Sequence, residues 1–281
     1  MNNSGKGYGV NRFMSKKYRL RLLFIGVLSF AVALSAFFLP RIPQDTSYHH
    51  FADQRTFFGI TNFLDVFSNV LFVLAGGLGC RYLIQRIFSN SGNSPESRLI
   101  YLFYLVFFTG AFLTGFGSIY YHLAPDTSRL FWDRLPMTIV FMSFLSAIIA
   151  ERIGLRIGLA LFLPLLGLGM GSIIYWDLGE QVGRGDLSFY ILVQFYPLVL
   201  IPLILFLFPP KYTRGWDFAV VLLFYALAKA GEALDWQIFA LGHLISGHSV
   251  KHLLAALAVY WVLRMLRTRE YLGEKSGLGD G

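Results

Sequence analysis

The residues of this sequence that could do chemistry fall into three groups. Ser118 and His122 are four residues apart, and Asp133 follows His122 by eleven residues. His248 and His252 are again four residues apart. Because residues four apart lie on one face of a helix, each pair can aim its side chains at one point. Three imidazoles leave one position open on a tetrahedral zinc ion, so the spacing predicts a catalytic zinc site with His122, His248 and His252 as metal ligands.

Asp133 and Ser118 would supply the remaining groups that a zinc hydrolase needs. A zinc ion with an open position lowers the pKa of its bound water to about 7 and provides hydroxide at neutral pH. Asp133 would orient or deprotonate that water. Ser118, one helical turn from a ligand, would donate a hydrogen bond to an oxyanion or to the aspartate.

Each of these residues also has an ordinary structural explanation. Two histidines four residues apart in a membrane helix can form a polar contact between helices, and a serine such as Ser118 often assists close packing. Asp133 can pair with the adjacent Arg134 or with Arg129. The combination of all five residues favours the metal site, because unpaired polar groups are costly in lipid.

The elements that must position these residues are membrane helices. The chain of 281 residues is 56% hydrophobic and 14% charged, which is more apolar surface than one soluble core buries. In lipid, helices are the only open-ended structure that satisfies its own backbone polar groups. We therefore predict an all-α integral membrane protein. The net charge is +8, and the basic residues lie between the apolar segments, where they set the orientation of the helices in the membrane. No nucleic-acid partner is therefore expected.

Eight apolar segments are long enough to cross a hydrocarbon layer of roughly 30 Å. The first, 22–39, follows a basic N-terminus (1–21) and is interpreted as an uncleaved helix. A signal sequence is the alternative, because Ala33-Leu34-Ser35 offers small residues at a cleavage point. The other seven form one membrane domain over 60–267, followed by a tail (268–281); they are 63–84, 98–122, 131–150, 155–176, 188–208, 216–243 and 248–267.

The distribution of Lys and Arg predicts how these helices are oriented. Most of these residues fall on the side of the N-terminus, so the positive-inside rule places both termini in the cytoplasm. The helix that ends at His122 then runs outward, and the helices that start at Asp133 and His248 begin at the outer surface. The five site residues are therefore expected at one depth, near the outer face of the membrane.

The motifs resemble those of the alkaline ceramidases, within a wider group of seven-helix membrane hydrolases and receptors that includes the adiponectin and progestin receptors. The shared pattern is Ser-x-x-x-His, an aspartate eleven residues later, and His-x-x-x-His at the head of the final helix. Residues 62–69, Asn-Phe-Leu-Asp-Val-Phe-Ser-Asn, are similar to the family's first-helix signature. The resemblance covers about residues 60 to 267. It implies a seven-transmembrane-helix hydrolase bundle plus one additional N-terminal helix, with zinc on the three histidines.

On this resemblance, the expected function is zinc-dependent cleavage of the amide bond in ceramide or a related sphingoid lipid, which yields a long-chain base and a fatty acid. Two other classes stay open. A lipid-sensing, receptor-like protein would bind zinc and lipid with little turnover. A transporter would use the histidines as a proton relay, but such a path spreads its groups across the membrane. The oligomeric state is not predicted.

Three ionisable residues recur at three-residue spacing in segment 216–243: Lys229, Glu232 and Asp235. They predict either a structural polar network or a site that holds the head group of the substrate.

Calcium is a doubtful second metal on the sequence alone. Animal alkaline ceramidases carry an acidic calcium-binding cluster just before their first helix. In this chain Asp53 has Arg55 and Asn62 around it, which puts calcium dependence in doubt.

Overall fold

The fold is all-α over the part of the chain that the computed structural model describes, residues 15–89 and 94–272. Among these residues there is no β-strand. A 3₁₀ turn covers Thr46–His49, and a π-helical segment, Ile149–Ile153, continues one of the long helices. The α-helices are α1 (Lys16–Ala36), α2 (Phe63–Ser68), α3 (Val70–Phe88), α4 (Pro95–Leu123), α5 (Thr127–Ile148), α6 (Leu155–Gln181), α7 (Ser188–Leu207), α8 (Asp217–Ala233), α9 (Asp235–Ala240) and α10 (Gly247–Thr268).

Seven of the described spans are long and apolar enough to cross a membrane, which confirms the predicted all-α, multi-pass membrane protein. They are α1, the consecutive pair α2 and α3, α4, α5 with its π-helical extension, α6, α7 and α10.

The segment predicted as one helix over 216–243 is interrupted instead. It forms α8, of 17 residues, and the short α9, with a non-helical Leu234 between them (φ −104°, ψ 28°). The carboxylate of Asp235 accepts the backbone N–H groups of Ala52 and His248 at 2.9 and 2.8 Å. Hydropathy does not register such long-range contacts, so the prediction of a single helix was wrong.

Residues 1–39 form a compact unit of their own, in which the structure describes α1. No side chain of α1 is buried, as suits an apolar helix whose surroundings are lipid. The helix begins before the predicted residue 22 because Ser15 caps it, accepting the N–H of Tyr18 at 3.2 Å. Most of the predicted N-terminus (1–21) and of the predicted tail (268–281) lies outside the described residues.

The second unit, residues 40–281, contains all the predicted site residues. Within it α4 packs between α3 and α5, α5 also packs on α6, and α10 packs on α8 and α3. α7 packs on α5 and α6, and α8 packs on α10. Side chains connect α7 with α8, since Gln194 donates a hydrogen bond to the Tyr225 hydroxyl at 2.8 Å.

Two glycines let the helices approach where the site is built. A Cβ on Gly117 would collide with the carbonyl oxygen of Trp132, so α4 meets α5 at the level of Ser118 and Asp133. A Cβ on Gly247 would collide with the carbonyl oxygen of Gly231, so the start of α10 meets the end of α8.

Candidate metal centre

The three predicted histidine ligands converge. His122 lies at the end of α4, and His248 and His252 occupy the first two turns of α10. Their ligand nitrogens all lie within 4.8 Å of one another, and the Nε2 atoms of His122 and His248 are 3.3 Å apart. All three side chains are buried, with exposures of 0%, 4% and 4%. The three imidazoles therefore form a group that can hold a metal ion.

The ring of His252 is fixed by the α2–α3 segment. Its Nδ1 atom lies 2.8 Å from the Ser68 hydroxyl and 3.2 Å from Nδ2 of Asn69. Because Nδ1 is engaged in this way, Nε2 is the nitrogen left for the other two histidines and for a metal. Residues in the first-helix signature thus orient a ligand.

Asp65, in the same segment, anchors the start of α10. Its Oδ1 atom accepts hydrogen bonds from the hydroxyls of Ser246 at 3.1 Å and Ser249 at 2.6 Å. Ser246 also caps the helix by accepting the N–H of Ser249 at 3.0 Å. A fully buried carboxylate therefore fixes the helix that carries two of the three histidines.

Asp235 also helps to hold the site in place. By accepting the N–H groups of His248 and Ala52, its carboxylate ties α10 to the loop that precedes α2. This residue was predicted as part of a polar network or head-group site. Its carboxylate binds backbone, and it helps to position His248.

The loop before α2, residues 40–62, covers the histidines; we call it the covering loop. Phe51 is 2% exposed and packs on the rings of His122 and His248, with centroid distances of 4.6 and 4.5 Å. His49 lies 2.9 Å from the Tyr121 hydroxyl and 3.1 Å from that of Thr127. Burial, together with the nearby charge of Arg134, lowers the pKa of His49. Phe51 lies in a loop, and a loop residue that packs on the ligands produces no periodic pattern in the sequence. Spacing alone could therefore not identify it.

The N-terminal end of the covering loop is bound to the bundle by Asp186. The carboxylate accepts the N–H groups of Ile42 at 3.1 Å and Ser188 at 2.9 Å. Burial alone would raise the pKa of Asp186, but these hydrogen bonds outweigh it and hold the pKa below its usual range. The loop is therefore anchored at both ends of its path over the site.

Asp133 and Ser118 stand beside the histidines, where both are buried and line a common cavity with His252. The Ser118 hydroxyl interacts with the Asp133 carboxylate. Among the described residues, Asp133 forms no ion pair with Arg134 or Arg129; Arg129 pairs with Asp126 instead. The structure thus brings together all five residues that the spacing singled out.

The cavity has a volume of about 430 Å³ and two distinct parts. Its polar part lies at the end of the bundle that holds the metal centre. Beyond it, the cavity extends along the bundle between apolar side chains. The polar lining includes Tyr48, Ser118, Asp133, Arg134, Lys229, Glu232, Lys251 and His252, and the apolar lining includes Phe107, Val140, Phe144, Ile201, Val221 and Val259.

Glu232 is the centre of a charge network on the cavity wall. It pairs with Lys229 and with Lys251, the latter at 3.0 Å, and accepts a hydrogen bond from the Tyr48 hydroxyl at 3.1 Å. The Lys251 ammonium also lies 2.9 Å from Nε2 of His248. The pairing of Lys229 with Glu232 agrees with the predicted polar network. The sequence analysis did not single out Lys251.

Asp53 and Arg55, at the position where a calcium cluster was considered, form an ion pair. Arg55 contacts both carboxylate oxygens of Asp53, at 2.8 and 2.7 Å, and donates to the carbonyl oxygens of His243 and Leu244. The Arg55 guanidinium therefore supplies the positive charge that balances the Asp53 carboxylate.

No protein-family model matches the chain, and neither a curated protein nor a solved structure matches it. The function is therefore inferred from the chemistry and geometry of the site.

Proposed function

We propose that this protein is a zinc-dependent intramembrane hydrolase that cleaves the amide bond of ceramide or a related sphingoid lipid. The single observation that carries the proposal is the convergence of three buried imidazoles beside a serine–aspartate pair at the polar end of an apolar cavity. The products would be a long-chain base and a fatty acid.

The spacing between two of the three imidazoles supports zinc as the metal. Two nitrogens bound to one tetrahedral zinc ion at roughly 2.05 Å lie about 3.3 Å apart, and the Nε2 atoms of His122 and His248 are 3.3 Å apart. The hydrogen bonds at Nδ1 of His252 resemble the outer contacts that orient zinc-bound histidines. The chain has one cysteine, Cys80, and it lies on α3 away from these residues, so no thiolate joins the three imidazoles.

In this proposal Asp133 moves the proton. Amide hydrolysis adds water across the C–N bond, so one group must take a proton from the water and return it to the leaving amine. The Asp133 carboxylate lines the same cavity as His252 and is the acid that α5 contributes to it. The Ser118 hydroxyl interacts with Asp133 and donates a hydrogen bond to the oxyanion that develops on the carbonyl. A zinc ion, when bound, lowers the pKa of water and polarises the carbonyl.

The cavity suits a lipid amide. Its apolar part accommodates an acyl chain between residues such as Phe107, Phe144 and Ile201. The amide would then lie at the polar end, beside Ser118 and Asp133. Because the cavity lies inside a membrane bundle, the chains of the substrate need not pass through water.

The orientation of the site belongs to the proposal as well. The positive-inside rule favours both termini in the cytoplasm. The metal centre would then lie near the extracytoplasmic face of the membrane.

Removal and replacement of the metal tests the proposed reaction. Purified protein would be stripped with a chelator, reloaded with zinc and incubated with ceramide in mixed micelles, with mass spectrometry of both products. We expect no product from stripped protein and recovery of both products after zinc is restored. Lipid binding without product in the reloaded protein would contradict the hydrolase and favour a receptor-like function.

A further inference from the structure

Arg134, one residue after Asp133, is a buried cation with an unusual setting. It is 6% exposed, yet it lines the cavity. Three aromatic rings surround its guanidinium, with Cζ 5.2 Å from the centroid of Tyr48, 4.9 Å from Trp176 and 5.2 Å from Tyr190. Its Nη1 atom donates to Oε1 of Gln44 at 2.7 Å. This frame holds the guanidinium in one place without neutralising it.

No carboxylate of the described chain neutralises Arg134 by an ion pair. Of the acids that line the cavity, Glu232 is paired with Lys229 and Lys251. Asp133 lies close enough to feel the charge of Arg134 but forms no ion pair with it, and Asp45 caps the 3₁₀ turn of the covering loop by accepting the N–H of Ser47. An unpaired guanidinium in a membrane bundle is costly, so such groups usually face a functional cavity.

Two lysines also line the cavity. Lys229 and Lys251 share the single carboxylate of Glu232, which leaves that network with one excess positive charge. Across the cavity lining, Arg134, Lys229 and Lys251 face three carboxylates, those of Asp45, Asp133 and Glu232, so the formal charges balance. Arg134 differs from the two lysines in forming no ion pair among the described residues.

We propose that Arg134 binds an acidic group, a sulfonate, phosphate or carboxylate, on the head of the lipid that enters the cavity. A guanidinium presents a planar fork of N–H donors that matches such oxyanions, and Nε and Nη2 of Arg134 have no hydrogen-bond partner among the described residues. The acyl chain then extends into the apolar part of the cavity. That this lipid is an amide substrate rests on the proposed function, but the anion site itself does not.

The test measures binding to metal-stripped protein in a nonionic detergent, so it needs neither zinc nor turnover. The probes are single-chain amphiphiles of equal length: an alkyl sulfonate, an alkyl phosphate, a fatty acid and an alkyl alcohol. We expect at least one of the anions to bind roughly 10- to 100-fold more tightly than the alcohol. Their ranking identifies which acidic group the site accepts. Equal binding of all four probes by the wild type would overturn the proposal.

Variants assign the effect to Arg134. Arg134→Gln is expected to lose the preference for the anion, whereas Arg129→Gln, a change on the same helix at a more exposed arginine paired with Asp126, should keep it. Arg134→Lys is the substitute if Arg134→Gln does not fold. It retains the charge but not the planar fork of donors, and it should lower the preference for the anion several-fold. An unchanged preference in either Arg134 variant would contradict the assignment.

A second arm separates this inference from the proposed reaction. Zinc-loaded protein would be given amides with one acyl chain and either a neutral or an acidic head. A higher kcat/KM for the acidic amide, lost in Arg134→Gln, supports both proposals. Anion binding without hydrolysis of any amide would overturn only the reaction, and hydrolysis with no dependence on Arg134 would overturn only the anion site.

Discussion

The two ends of the bundle each bury a polar cluster, and the clusters differ in what they enclose. At the end opposite the metal centre, Glu151 and Arg269 form an ion pair at 2.6 Å, with side-chain exposures of 3% and 4%. Tyr104 and Tyr212 pack on the Arg269 guanidinium, at 5.2 and 4.2 Å from the ring centroids. Neither member of the pair lines the cavity. The two charges of this cluster therefore neutralise each other away from the cavity.

The cluster at the metal centre is open by contrast. The Nε2 atoms of His122 and His248 lie 3.3 Å apart, and Nδ1 of His122 is buried without a hydrogen-bond partner among the described residues. Asp133 and Arg134 face a cavity rather than a charged partner. The difference separates a polar group that stabilises helix packing from one that requires a ligand.

The largest expected effect comes from Asp133→Asn. The change keeps the shape of the side chain but removes the proton acceptor, so hydrolysis should fall by roughly a thousand-fold or more while zinc remains bound. Product formation and zinc content would be measured on the same sample.

Asp177→Asn is the matched control, because that carboxylate contacts only Gln181 on its own helix in the described structure. Loss of zinc from Asp133→Asn would make Asp133 a ligand and contradict its role with the proton.

Glu151→Gln should act on stability alone. Removing one partner of a buried ion pair leaves an uncompensated charge, and we expect a loss of about 3–5 kcal/mol in the free energy of unfolding. Thermal unfolding in detergent would measure it, with the exposed Glu96→Gln as control. The folded fraction should keep its zinc and its activity per molecule. A loss of zinc at this distance would show that the two clusters are not independent.

Ser68→Ala is expected to have the smallest effect. It removes the hydroxyl that contacts Nδ1 of His252, and loss of such outer contacts typically lowers metal affinity by about 10-fold. Ser143→Ala is the matched control, because the buried Ser143 hydroxyl donates to Ile139 of its own helix. A competitive chelator titration would compare the variants. Equal zinc affinity in both would mean that Ser68 does not orient the ligand.

Helical spacing accounts for what the sequence analysis could find. Residues four apart on one helix must share a face, so the pairing of Ser118 with His122, and of His248 with His252, follows from their positions in the chain. Hydropathy likewise predicted the membrane helices. Both signals are local in the chain.

The residues that were missed depend on contacts between distant segments. Phe51 covers the histidines from a loop, and the covering loop has no periodic pattern. The setting of Arg134 requires Tyr48, Trp176 and Tyr190 from three other segments. The break at Leu234 depends on Asp235 and its two backbone partners. None of these arrangements can be derived from spacing along one helix.

The most direct test of the metal centre is elemental analysis of the detergent-purified protein beside the double variant His248→Ala, His252→Ala. Hydrolysis of fluorescent ceramide and of an acidic-head amide would be assayed in the same samples. His243→Asn is the control, since that histidine lies in an exposed turn at φ 53°. We expect one zinc per chain with product in the wild type and in the control, and loss of both in the double variant. Wild-type protein without zinc would contradict the metal centre, and zinc without product from either lipid would contradict the hydrolase.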